Sequence, residues 1–290
     1  MTNIPHSPYV LTADVGGSHI TTAICNIEEN IILDETIARV DVSSRDTADH
    51  IFNAWETSFK RSLESGNHSI SGLGIAMPGP FDYENGISYI TGLNKFDAIY
   101  KMDIRHKLAE MLAIDPSIIQ FRNDAEAAIA GEVWADFGKE YNNIIGVTLG
   151  TGFGSAHYLN GLTKDVNWGS EPFGSSIADD YMSTRWFLKR YNELTGNRVN
   201  EVKDLYLMAP YDAVVTGIFH EFGENLGYFL SKKIDELNPE LLILCGNITR
   251  SSDLFLPVLR ERIMPLPIKL ARLGENAALF GVASLFEPVQ

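Results

Sequence analysis

The sequence predicts an α/β protein of two domains, and three observations carry that expectation. A Gly-rich turn between two strand-like runs occurs twice, once near the start of the chain and once near its middle. In both halves, closely spaced strand candidates give way to alternating helix and strand, the order that stacks helices on sheets. At 290 residues the chain is long enough for two domains and a sizeable core.

The elements follow in order. Tyr9–Ala13 is an apolar strand candidate, and Asp14-Val15-Gly16-Gly17-Ser18-His19 turns it into Ile20–Ile24. Strand candidates over Thr21–Asn26 and Ile31–Val40 lead to a helical stretch from Thr47 to Leu63, with Asp46 as its cap and Gly66 near its end. Ile70–Met77 is a short strand stopped by Pro78-Gly79-Pro80. Ile104–Leu112 has helical spacing, and Ile118–Phe121 is the next strand. In the second half, Ile144–Leu149 runs through Gly150-Thr151-Gly152-Phe153-Gly154 into Ser155–Asn160. Long helices are expected over Ile177–Leu194 and Asp212–Leu237, then a buried strand, Leu241–Cys245, and a closing helix from about Asn276 to Phe286. No low-complexity linker separates the halves, so the domains should meet at a tight hinge. Trp186, Phe187 and Tyr191 fall at helical spacing and read as core or dimer surface.

Composition narrows the function classes. A net charge of −15 argues against a nucleic-acid surface, which needs clustered Lys and Arg. It leaves nucleotide binding open, because backbone donors can hold a magnesium-bound nucleotide. Cys25 and Cys245 lie in separate apolar runs, with neither zinc-knuckle spacing nor a disulfide framework. No apolar run is long enough to span a membrane, and Met1–His6 lacks a signal-peptide pattern, so a soluble cytoplasmic protein is expected. His6, His50, His68, His106 and His220 show no ligand spacing.

Two features carry chemistry. Glycine lets backbone approach a ligand closely, and successive N–H groups of such a turn can form a nest for anionic oxygens. Either turn alone could equally be a plain hairpin; two of them suggest one phosphate chain gripped between similar halves. Asn123-Asp124 follows a strand and opens the helical run Ala125–Ala130. Asp124 could simply cap that helix. It could instead take a proton from a substrate hydroxyl, since ligands of open α/β sheets bind beyond the carboxyl ends of strands.

Taken together, these segments resemble the ROK (repressor/open-reading-frame/kinase) sugar kinases of the actin-like ATPase superfamily, over nearly the whole chain. The matching segments are Asp14–Ser18, Gly74–Pro80 with Gly86, Asn123–Ala125 with Gly131-Glu132, Leu149–Gly154, Asn238–Glu240 with Leu242–Asn247, and Leu273–Gly281. The resemblance implies an actin-like, ribonuclease H-like fold with an interdomain active-site cleft. It places an N-terminal domain over 1–123, with the closing helix from 275 packing back on it, and a C-terminal domain over 124–274. It also implies phosphoryl transfer from ATP to a hexose or N-acetylhexosamine hydroxyl, the 6-hydroxyl being expected.

The roles it implies are specific. Gly16, Gly17 and Ser18 on one side, and Gly150, Thr151, Gly152 and Gly154 on the other, would hold phosphates. Asp14 would hold Mg²⁺ through water, Gly246 and Asn247 would lie near the adenosine, and Asp124 would be the catalytic base. Gly79, Asn94, Asn123, Asp124, Glu171 and Asp179 would meet the sugar. The expected partners are sugar and ATP, with no nucleic acid and no membrane, and the expected assembly is a homodimer.

The chain also departs from the pattern. Ser175 stands where the family usually has a histidine and no cysteine-rich loop follows, so no structural zinc is expected. Ser175-Ser176 are expected to cap the next helix directly. Ser18 replaces a usual threonine, Asn247 a common glycine, and a helix-turn-helix arm is not expected. A non-catalytic sugar sensor and a carboxylate phosphotransferase remain the alternatives. The sensor would lack Asp124 or a phosphate turn; the other would need arginines where this chain offers carboxylates and amides.

Overall fold

In the computed structural model, which describes residues 7–287, the chain divides into two units. One holds the described residues up to Phe137 together with those from Glu275; the other is Gly138–Gly274. Met1–His6, with the readings made on it, lies outside the described residues.

The first unit opens with β1 (Tyr9–Val15) and β2 (His19–Asn26), antiparallel across the first Gly-rich turn. The expected long third strand is two pieces, β3 (Ile31–Ile32) and β4 (Ala38–Asp41), both paired with β2. A 3₁₀ turn, Asp34–Thr36, separates them, because the Thr36 hydroxyl donates to the Leu33 carbonyl (2.7 Å) and accepts from the Ile24 N–H (2.8 Å). Helix α1 (Ala48–Gly66) is capped by Thr47 rather than Asp46, whose carboxylate bonds the Thr47 N–H and the His50 ring. It buries Ile51, Phe52, Trp55 and Phe59 against the sheet residues Leu11, Ile20, Ile24 and Leu73.

Next come β5 (Gly72–Met77), the small hairpin β6 (Phe81–Asp82) and β7 (Ile87–Ser88), α2 (Ile104–Leu112), β8 (Ile119–Asn123) and α3 (Asp124–Ala135). The sheet order is β3-β2-β1-β5-β8, with β1, β5 and β8 parallel.

The second unit repeats this plan. Strands β9 (Asn143–Leu149), β10 (Phe153–Leu159) and β11 (Leu162–Asp165) form an antiparallel meander. A hairpin of β12 (Pro172–Phe173) and β13 (Ser176–Ile177) follows, then α4 (Thr184–Thr195), α5 (Val202–Met208), α6 (Ala213–Leu237), β14 (Leu241–Cys245), α7 (Ser252–Ile263) and β15 (Ile268–Leu270). The order β11-β10-β9-β14-β15, with β9, β14 and β15 parallel, is the topology of the first sheet again.

The helix expected from Ile177 begins only at Thr184, since a hairpin and a 3₁₀ turn, Ala178–Asp180, take up the preceding residues. Ser175 and Ser176 therefore cap no helix. Ser175 shares a hydrogen bond with the Tyr181 hydroxyl (3.1 Å), and the Ser176 hydroxyl donates to Asp180 (2.5 Å). Trp186, Phe187 and Tyr191 are core, in one buried cluster with Phe219, Phe222 and Phe255, where Trp186 meets the Phe222 ring and Phe187 the Phe219 ring at a tilt. Asp212 caps α6, accepting from the Val214 N–H at 2.8 Å.

The chain then returns to the first unit as α8 (Ala277–Ala283), closed by a 3₁₀ turn, Ser284–Phe286. Helix α8 lies directly on α3, so α3 belongs to the first unit rather than to the domain counted from residue 124. Two glycines allow that approach. A Cβ on Gly281 would overlap the Ala127 carbonyl, and one on Gly131 would overlap the Ala277 carbonyl. The Arg122–Glu126 ion pair (3.0 Å) is largely buried beside them, and Arg122 Nη1 donates to the Gly281 carbonyl at 2.6 Å.

Candidate active site

In the first unit the expected functional residues gather at one edge of the sheet. The parallel register pairs Asp14 with Ala76 and Met77 with Asn123, so β1, β5 and β8 end side by side at Asp14, at the approach to Gly79, and at Asn123-Asp124. The turn after β1 is closed by the Gly16 N–H donating to the His19 carbonyl (2.9 Å), and the Gly17 carbonyl accepts from the Ser44 N–H (3.2 Å). The N–H groups of Gly17 and Ser18 bond no described residue and are free to take an anion. Gly16 and Gly17 do not have positive φ, so here glycine serves close approach rather than turn handedness.

The Asp14 carboxyl is pushed up to about 7, mainly by burial, with the charge of Asp124 adding and Arg39 opposing. Arg39 pairs with Glu275 (2.8 Å) and approaches His19 Nδ1 (3.4 Å), which also lies 3.0 Å from the Ser18 hydroxyl. Burial and the neighbouring guanidinium lower the His19 pKa.

The helix cap is Asn123, not Asp124. Asn123 Oδ1 accepts from the Ala125 and Glu126 N–H groups (3.0 and 3.1 Å), and its amide donates to the Tyr83 hydroxyl (3.1 Å). Tyr83 in turn donates to the Met77 carbonyl (3.0 Å). Asp124 is thereby released from capping. It is the first residue of α3, and among the described residues its side chain is held only by Oδ1 accepting from the Ala125 N–H (2.9 Å), with the positive end of the helix behind it. Gly79 lies next to this group, since a Cβ there would be 3.4 Å from the Tyr83 hydroxyl. Asn94 sits on an exposed loop at positive φ, its carbonyl accepting from Arg45 (3.1 Å) and its side chain bonding no described residue.

In the second unit the β9–β10 turn has the same character. The Gly150 N–H donates to the Gly152 carbonyl (3.1 Å), Gly154 to the Thr148 hydroxyl (3.1 Å), and the N–H groups of Thr151 and Gly152 bond no described residue. The Gly246 turn is adjacent, because β14 runs parallel to β9 with Cys245 opposite Thr148. Gly246 has φ 91°, and a Cβ on it would overlap the Leu149 carbonyl, so both conformation and space require glycine. Asn247 is exposed and opens the 3₁₀ turn Asn247–Ser251.

Asp179 is bound to the end of the β9–β10 turn. One carboxylate oxygen accepts from the Phe153 N–H (2.6 Å) and the other meets Arg185. Glu171 bonds Lys233 through both oxygens, at 2.8 and 2.7 Å. Sequence reading had no signal for Tyr83, Arg185 or Lys233; each is an ordinary residue in a loop or helix until the fold sets it beside a site residue.

Among the described residues no three His, Cys, Asp or Glu side chains gather as a metal cage. The residues present fit Mg²⁺ held through water: one hard carboxylate, Asp14, next to a turn with open N–H groups, would accept from the ion's bound water.

The sequence profile of the ROK family matches residues 10–166, more than half of the chain. The chain belongs to the ROK family. Among ROK relatives, an N-acetyl-D-glucosamine kinase of Histophilus somni is 24% identical, the alignment covering 94% of this chain and 97% of that one. A xylose repressor of Bacillus spizizenii is 25% identical over 96% of this chain and 76% of its own length. Among solved ROK structures, a Streptomyces griseus glucokinase in complex with glucose and AMPPNP superposes with a TM-score of 0.77 at 20% identity, covering 96% of this chain and 98% of that one. The fold is thus that of the ROK sugar kinases.

The open space above the second turn gives a first prediction. A Cβ at Gly150 meets nothing within 4 Å. Gly150→Ala should therefore leave the melting temperature unchanged; if this turn holds nucleotide phosphate, as proposed below, the methyl should also raise the KM for ATP about tenfold or more. Steady-state kinetics beside a thermal melt check both halves.

Proposed function

We propose that this chain is an ATP-dependent sugar kinase that transfers the γ-phosphoryl group to a hydroxyl of a hexose or N-acetylhexosamine, the 6-hydroxyl by preference. The observation that carries this reading is Asp124: a carboxylate at a strand-to-helix junction, relieved of capping by Asn123 and close enough to Asp14 for their charges to interact. Such transfer needs positioning and charge neutralisation more than covalent chemistry.

In this reading Gly16, Gly17 and Ser18, and likewise Gly150, Thr151, Gly152 and Gly154, donate N–H groups to phosphate oxygens. Gly246 and Asn247 border the adenosine. Asp14 holds Mg²⁺ through water, and the ion would neutralise phosphate charge. Asp124 orients the sugar hydroxyl and accepts its proton. Glu171, Asn94 and the backbone at Gly79 take sugar hydroxyls, with Asn123 ordering the strand end. Asp179, engaged at both oxygens, is assigned to bracing the second turn.

Incubation with labelled ATP, Mg²⁺ and a panel of hexoses and N-acetylhexosamines tests the reading, with transfer to at least one sugar expected. Sugar binding without transfer would favour the non-catalytic sensor, a reading supported by the repressors among the relatives. No helix among the described residues is long and apolar enough to cross a membrane. A cytoplasmic homodimer is the proposed working state, and light scattering checks its mass.

Asp14 gives a pH prediction. Its folded carboxyl titrates about 7 against an ordinary 3.8, so between these values the folded chain holds a proton that the unfolded chain has released. The stability from this group is therefore full below about pH 4 and is lost as pH rises through about 7. In metal-free buffer, Asp14→Asn should melt higher than wild type near pH 8, with a gain that shrinks toward pH 5. Calorimetry across that range decides; an equal gain at both ends contradicts the assignment.

A further inference from the structure

Glu171 is the one proposed sugar contact whose carboxylate is held by a cation from another element. Its backbone is fixed first: its N–H donates to the Trp168 carbonyl (3.0 Å) and its own carbonyl accepts from Ala178 (2.9 Å). The carboxylate is then held by Lys233 of α6, 2.8 Å from Oε1 and 2.7 Å from Oε2.

The two partners are unequally exposed. The Glu171 side chain is 39% accessible and the Lys233 side chain only 13%. The Lys233 ammonium lies 5.7 Å from the Trp168 ring centre and 5.8 Å from that of Phe229, two aromatic faces that favour a cation. Glu236 adds a longer contact at 3.8 Å. Ser175, four residues on in the chain, bonds the Tyr181 hydroxyl.

An exposed ion pair would cost two flexible side chains their freedom for little return. Here the lysine is already fixed in an aromatic slot, and only the carboxylate faces outward. A lysine so placed aims its neighbour: it sets the rotamer of Glu171 and leaves the outer lone pairs of the carboxylate for other donors.

We propose that Lys233 is a positioning residue for substrate specificity, presenting the Glu171 carboxylate in one orientation to vicinal hydroxyls of the sugar. This rests on the sugar-kinase reading and on Glu171 meeting the sugar. Lys233 does not touch substrate in this account; it acts through Glu171 alone.

The test compares wild type, K233M, K233R, E171A and the K233M/E171A double variant, with glucose, mannose and N-acetylglucosamine as the sugars. For each, kcat, both KM values, calorimetric sugar affinity and the melting temperature are measured. K233M keeps the stem that packs on the rings. It is expected to raise the sugar KM and Kd about tenfold or more, with ATP KM changed less than about twofold and kcat less than about threefold. K233R, which keeps the charge and can hold both oxygens, should recover most of the affinity. The double variant should bind sugar no more weakly than E171A, because a residue acting only through Glu171 has nothing further to lose.

A lowered melting temperature with unchanged sugar KM in K233M would make Lys233 merely structural and overturn the proposal. If K233M fails to fold, K233Q and K233Q/E171A, which also remove the charge, take its place, and losses of sugar affinity that add in that double variant likewise overturn the proposal. Wild type that binds and phosphorylates none of the sugars would instead overturn the kinase reading, and this proposal with it.

Discussion

Asp124→Asn is expected to lower kcat by about 10²–10⁴-fold, the usual contribution of a general base. The substitution should cost little else. Asn123 supplies the cap of α3 through its bonds to Ala125 and Glu126, and an asparagine oxygen at 124 can still accept from the Ala125 N–H. The variant should therefore fold with a wild-type melting curve and bind sugar with a KM within a few-fold of wild type. What it loses is the acceptor for the hydroxyl proton. Near wild-type kcat on the best sugar would remove Asp124 from the catalytic role. A collapse of the melting curve would show that the carboxylate serves the fold instead.

The second large effect is on stability. Gly281→Ala places a methyl group into the Ala127 backbone of α3, and neither helix can yield without giving up its neighbours in the core formed by Ala76, Ala127, Ala278 and Val282. Overpacking against backbone costs about 3 kcal/mol or more, because no rotamer change relieves it. Gly131→Ala should behave alike against Ala277. Gly217 is the control: it lies exposed within α6, and a Cβ on it meets nothing within 4 Å. Gly217→Ala should raise stability by about 0.5–1 kcal/mol through helix propensity and a less flexible unfolded chain. Denaturant titration of the three variants settles it, and equal midpoints for Gly281→Ala and wild type would refute the packing argument.

The elements legible in the sequence were those whose signal is local. The glycine turns, the all-apolar Leu241–Cys245 and the long helix expected from Asp212 announce themselves through turn chemistry and apolar pattern that neighbours along the chain complete. Where two adjacent residues can each cap, composition does not choose between them: Thr47 displaced Asp46, and Asn123 displaced Asp124, according to which residue took the extended backbone ahead of the helix. The over-long helix from Ile177 arose because Ala178, Tyr181 and Met182 have helical spacing yet enter the core from a hairpin and a 3₁₀ turn. Ile31–Val40 read as one strand because a single hydroxyl, that of Thr36, interrupts it.

At the candidate site, residue types were readable and their commitments were not. Nothing in the sequence joins Glu171 to Lys233, or Asp179 to Phe153 and Arg185, since those bonds depend on how the second unit wraps its helices over its sheet.

The return of α8 to α3 also fixes an order of assembly during synthesis. The ribosome makes all of β1 through α3 and then the entire second unit before it delivers the helix that completes the first. Until then Ala76 and Ala127 lack the partners Ala278 and Val282 that cover them. The nascent chain thus carries an unfinished amino-terminal unit while its second unit, whose strands and helices are contiguous, can already close. A messenger cut short before Ala277 would yield a polypeptide with every proposed catalytic residue present and an open seam along α3, a natural target for chaperones and proteases.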